Sequence, residues 1–95
     1  MPIFNPRLRD GFGQCSNAVM RDPSLLLRDK AVYAYLCTFA DSQSNQTTVS
    51  VNKTASELNI SPSTIVRSLK SLEVKGVIKR INRGRGQTKL TILLR

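Results

Sequence analysis

The segment 61–71, SPSTIVRSLKS, sets five hydroxyl side chains around one guanidinium. Ser63, Thr64, Arg67, Ser68 and Ser71 recur at the spacing of one helix face, and their chemistry is that of base-edge recognition. Hydroxyls are small enough for close approach and bond to phosphates or to either kind of base edge. An arginine fork matches O6 and N7 of guanine, a contact worth about 1–3 kcal/mol of discrimination when bidentate. A second group stands at 83–87, RGRGQ, where Arg83 and Arg85 alternate with glycines. A slim basic loop of this kind suits a narrow minor groove, where the negative potential is enhanced.

Further basic and polar residues suit phosphate contacts. Ser61 stands at the start of the hydroxyl-rich segment, where backbone N–H groups and the helix dipole favour an anion. Ser50, Asn52 and Lys53 open the preceding segment, Lys70 flanks the candidate base-reading face, and Lys79, Arg80 and Lys89 flank the arginine–glycine loop. The expected base-reading set is therefore Ser63, Thr64, Arg67, Ser68 and Ser71. The expected phosphate and wing set is Ser50, Asn52, Lys53, Ser61, Lys70, Lys79, Arg80, Arg83, Arg85 and Lys89.

The charge distribution agrees. The chain of 95 residues carries +9, of which residues 61–95 hold +8 and residues 1–60 only +1. A field concentrated in one segment points to a polyanionic partner, with nucleic acid leading and ribosomal RNA and an anionic membrane as rivals.

Other chemistries lack their residues. There is no histidine and no CxxC, so a zinc site has almost no ligands, and no cofactor is expected. No P-loop and no base beside either cysteine supports catalysis, so the chain is not expected to be an enzyme. Cys15 and Cys37 are too few for a disulfide scaffold and are expected as reduced packing or surface thiols. No apolar run approaches the roughly 20 residues needed to cross a bilayer. The first residues lack a secretory signal, which implies a cytoplasmic protein associated with nucleoid or plasmid DNA.

The elements that must position these residues follow from pattern. Residues 1–16, punctuated by Pro2, Pro6, Gly11 and Gly13, read as an irregular arm, and 17–95 as one domain. Residues 17–22 form one helical turn or a short extended piece. Residues 27–40 predict a helix with Ala31, Tyr35, Thr38 and Phe39 on its core stripe, widened by Val32 and Leu36. A β-branched run at 47–51 predicts a small strand. A short helix over about 53–58, capped by Asn52 or Ser50, points Ala55 and Leu58 inward. Asn59, Ile60 and Ser61 make a turn. Ser61 and Pro62 then start a helix over 62–75 whose core face is Ile65, Leu69 and Leu72, with Val66 beside them. Gly76 ends it, and 77–82 and 88–94 predict a hairpin.

This order, α-β-α-α-β-β, is mainly α with a small sheet, and defines a winged helix-turn-helix. Its second short helix is expected in the major groove of double-stranded DNA.

The segments GFGQCSNAVMRDPSLLLRDKAVYAYLCTFAD (11–41) and TASELNISPSTIVRSLKSLEVKGVIKR (54–80) carry a more specific resemblance. They resemble the helix-turn-helix domain at the N-terminus of replication initiator (replisome-organiser) proteins of phages and plasmids from Gram-positive bacteria. The stretch NAVMRDPSL and the helix KAVYAYL are its more specific parts; 56–80 is a pattern shared with many transcription regulators. Leu26 departs from it, standing where a serine cap is expected before the long helix. The resemblance implies binding to origin or operator DNA, with replication proteins recruited by a separate C-terminal region. The residues leave three roles open: replication initiator, transcription regulator, and a winged-helix module for protein–protein contact. A homodimer on palindromic or repeated sites is also left open, because one module reads few base pairs.

Overall fold

The computed structural model describes residues 14–40, 45–82, 84 and 89–94. Four helices and three strands run in the order α1 (Asn17–Met20), α2 (Leu27–Cys37), β1 (Gln46–Thr47), α3 (Val51–Leu58), α4 (Pro62–Val74), β2 (Ile78–Ile81) and β3 (Leu90–Leu93). The strands form one antiparallel sheet with β3 between β1 and β2; Thr47 and Arg80 both stand opposite Thr91. This is the mainly helical, small-sheet architecture of a winged helix-turn-helix.

Local chemistry sets the ends of α3 and α4. The Ser50 hydroxyl accepts from the Lys53 N–H at 3.1 Å, so Ser50, not Asn52, caps α3. That cap starts the helix at Val51 and shortens the expected strand at 47–51 to a two-residue β1. Asn59 closes α3 in the left-handed region at φ 57°, a conformation asparagine tolerates better than most residues. The turn to α4 follows at once, and Ser61 caps the new helix with Pro62 in its first position. At the far end, Gly76 (φ 72°) donates to the Glu73 carbonyl and Val77 to the Leu72 carbonyl. These are the paired bonds of a Schellman motif, and they turn the chain directly into β2.

α2 lacks such a cap. Leu26 makes no side-chain bond to the helix, while Ser24 bonds instead to the Asp22 carboxylate through both its N–H and its hydroxyl. Asp29 in the first turn faces the positive end of the helix dipole.

The core gathers Val19 and Leu25, Val32, Tyr33, Leu36 and Cys37 of α2, Ala55 of α3, Ile65, Leu69 and Leu72 of α4, and Val77 and Ile78. Leu58 packs against it from the edge. The buried stripe of α2 corrects the expected one. It runs through residues 29, 32, 33, 36 and 37, whereas Ala31 and Tyr35 are half-buried and Thr38 and Phe39 exposed. The physical reason is the α3 side of α2. There the Tyr35 hydroxyl donates to the Glu57 carboxylate, and the Phe39 ring meets Tyr35 edge-on at 5.1 Å. The two aromatics line the seam with α3 instead of the centre of the core. The helix also stops at Cys37, where Thr38 and Phe39 tighten the last turn by donating to carbonyls three residues back.

Candidate nucleic-acid interface

Burying Ile65, Leu69 and Leu72 fixes the rotation of α4, and with it the outward face. Ser63, Val66, Arg67, Lys70 and Val74 stand exposed on that face, three or four positions apart. From Ser63 to Lys70 the helix advances about 10 Å, the length of about three base pairs. Arg67 and Lys70 form no ion pair among the described residues, so their donors are available to a ligand.

Four of the five candidate base readers occupy or border this face. Ser63 and Arg67 lie on it, and Thr64 and Ser71 are half-buried at its edges. Ser68 is a correction. It is fully buried, and its hydroxyl accepts from Arg28 Nε at 3.1 Å. The same Arg28 Nε stands 3.6 Å from the buried Asp29 carboxylate. Ser68 therefore holds α4 against α2 and has no access to a groove.

The start of α4 is a hydroxyl cluster. Ser61 Oγ caps the Thr64 N–H at 3.4 Å, pairs with Thr64 Oγ1 at 2.8 Å and meets Ser63 Oγ at 3.3 Å. Thr64 is thus engaged in the cap as well as the edge of the face.

The flanking candidates divide. Ser50, Asn52 and Lys53 come together in the first turn of α3. Asn52 and Lys53 are exposed, and Lys53 Nζ lies 5.0 Å over the Phe39 ring, a cation–π contact that steers the ammonium. Beside them is a cleft of about 640 Å³ lined by Phe39, Thr47, Thr48, Ser50, Lys53 and Leu90, which joins the start of α3 to the sheet. Lys79 and Lys89 are exposed on or beside the hairpin strands. Arg80 departs from the expected pattern. It is half-buried, donates through Nε to Thr91 Oγ1 at 3.4 Å, and is lowered from its ordinary pKa by burial. Through that bond it braces the β2–β3 ladder. Arg83 and Arg85 lie outside the described residues. Gly84 beside them has φ 120°, a conformation side chains rarely adopt, and its N–H donates to Asn82 Oδ1 at 3.1 Å.

Two residues of the face were missed by sequence reasoning. Val66 and Val74 are 37% and 86% exposed, and apolar groups on a groove-facing helix can meet thymine methyls. The signal was present in their spacing from Arg67 and Lys70, but a valine near a core series reads as core. Among the described residues no cluster could hold a metal ion, and no helix is long and apolar enough to cross a membrane.

A capped helix with a polar-basic outer face, set behind a short helix and beside a three-stranded sheet, defines a DNA-binding winged helix-turn-helix. A family model described as helix-turn-helix domain matches residues 26–78, more than half of the chain, and the protein belongs to that family. The match spans α2, β1 and the α3–turn–α4 unit. No curated protein and no solved structure matches the chain. Family and geometry together support sequence-specific binding of double-stranded DNA.

Proposed function

We propose that this protein is the origin-binding module of a plasmid or phage replication initiator, a cytoplasmic DNA reader without catalytic activity. α4 enters the major groove. Arg67 reads a guanine through O6 and N7, and Val66 contacts a neighbouring thymine methyl. Ser63 and Ser71 set the position of the helix, and the capped start of α4 approaches a phosphate. Asn52 and Lys53 hold the backbone on one side; Lys79, Lys89 and the arginines of the 83–87 loop hold it on the other, with the loop in the minor groove.

The observation that carries DNA reading is the face of α4: Ser63, Arg67 and Lys70 exposed together, opposite a fully buried apolar series, with no acidic partner among the described residues. The replication role is supported by the resemblance of NAVMRDPSL and KAVYAYL to initiator proteins. A transcription regulator bound to an operator is the second reading, favoured by the general character of the α3–α4 pattern. Selection of bound duplexes from a random pool tests both. Short direct repeats fit an initiator, a single palindrome fits a regulator, and no enrichment refutes sequence-specific reading.

A further inference from the structure

The two cysteines of the chain are 22 positions apart, and the fold sets both against one core cluster. Cys37 ends α2 and is buried; Cys15, just before α1, is half-buried against the same core. A hydrogen-bonded link sets their approach. The Ser16 N–H donates to Tyr33 Oη at 3.0 Å, and Tyr33 lies one turn before Cys37 on the buried stripe of α2. Cys15 packs against the core cluster that holds Tyr33 and Cys37, and, after burial, the Cys15 thiol and the Tyr33 hydroxyl are neighbours that shift the titration of Cys37. Both cysteines are free.

We propose that Cys15 and Cys37 are an intramolecular disulfide site, closed by a hydroperoxide and opened by a dithiol reductant, which fastens residues 14–16 to the end of α2. Cys15, the more accessible thiol, reacts first. With hydrogen peroxide its sulfur takes one oxygen as the O–O bond breaks, giving a sulfenic acid and one water. Cys37 Sγ then attacks Cys15 Sγ. The S–S bond forms, the S–O bond breaks, and the departing hydroxide leaves as water with the proton of Cys37. Two thiols and one peroxide thus become one disulfide and two waters.

Tyr33 is the positioning residue. Its oxygen holds the Ser16 amide and so the backbone beside Cys15, while its O–H supports the charge that develops on Cys37 Sγ. Burial pushes the Cys37 thiol up to about 12, which makes the second step the slow one and the Tyr33 contact valuable to it. Cys37 lies in the buried core and not on the exposed face of α4. Oxidation therefore stabilises the fold without altering DNA affinity. Closing a loop of this length in the unfolded chain raises the thermal midpoint by at least about 10 °C.

The test exposes the reduced wild-type chain to hydrogen peroxide and follows intact mass, free thiols and a peptide map. Expected are joint loss of both thiols, a monomer lighter by two hydrogens, a linked Cys15–Cys37 peptide, and a raised midpoint that a dithiol reverses. Tyr33→Phe is expected to slow closure about fivefold, the worth of one hydrogen bond, while the first oxidation of Cys15 keeps its rate. Cys15→Ser is expected to leave Cys37 a free thiol in the folded protein. The proposal is overturned if Cys15 proceeds to sulfinic acid, or links two chains, while Cys37 stays a free thiol.

Discussion

Ser68→Ala and Arg67→Ala change adjacent residues of α4 and are expected to fail in opposite ways. Ser68 is fully buried, and its hydroxyl accepts from Arg28 Nε at 3.1 Å, with the Asp29 carboxylate 3.6 Å from the same nitrogen. Removing the hydroxyl takes away a hydrogen bond to a charged donor. Arg28 is 38% exposed, so water recovers part of that loss, and the net cost is about 1–2 kcal/mol. In a domain of this size that lowers the thermal midpoint by about 5–10 °C. Arg67 is exposed and unpaired among the described residues, so its loss leaves stability within about 0.5 kcal/mol. Its effect falls on DNA: about 1–3 kcal/mol of discrimination, or about 5- to 150-fold, between the selected duplex and a scrambled one. Circular dichroism melts without DNA, and fluorescence anisotropy on both duplexes at one fixed salt concentration, measure the two terms separately. If Ser68→Ala keeps the wild-type midpoint yet relaxes discrimination, Ser68 reaches the groove and α4 is rotated away from the burial of Ile65, Leu69 and Leu72.

Other consequences are open to simple measurement. Gly76→Ala meets no atom within 4 Å and so suffers only the backbone strain of φ 72°, a cost of about 1 kcal/mol in urea unfolding, with DNA discrimination unchanged. Lys79→Ala with Lys89→Ala is expected to flatten the salt dependence of DNA binding by about two units of log–log slope, at ~0.9 for each phosphate contact, equally for specific and random duplexes. Alkaline stability is expected to fall from pH 9 towards pH 12. Cys37 is raised from 9.0 to about 12 by burial, and Tyr33 and Tyr35 from 10.0 to about 12, by burial first and, for Tyr35, by the neighbouring Glu57 carboxylate. All three hold their protons more tightly when folded, so the unfolded chain ionises first and stability is lost as pH rises through that window. Urea midpoints at pH 8 and pH 11 should differ less in Tyr35→Phe.

What was legible in the sequence was what neighbours along the chain decide. Ser61 and Pro62 start α4 through the cap and fixed φ they bring themselves, and Gly76 ends it through a conformation few other residues adopt. The series Ile65, Leu69 and Leu72 finds the core because one helix face is read from spacing alone, and Arg67 follows as its opposite. What escaped was decided across the fold. Ser68 sits on the α4 wheel between the buried and open sides, and only α2, arriving with Arg28, settles which it joins. Tyr35 and Phe39 look like core from their size, yet a phenol with a carboxylate in reach and a ring under an ammonium are satisfied at a seam. Arg80 alternates with Lys79 along β2, so one faces out and the other is drawn in against Thr91. The Cys15–Cys37 approach depends on a tyrosine hydroxyl holding a distant backbone amide, which no local pattern encodes.

Duplex selection from a random pool, run in parallel with the wild-type chain and Arg67→Ala, decides whether Arg67 reads a base. A short enriched motif containing a guanine is expected from the wild-type pool, and the variant is expected to lose preference at that one base with the rest of the motif kept. An identical motif from both proteins, or no motif from either, would contradict base reading by Arg67.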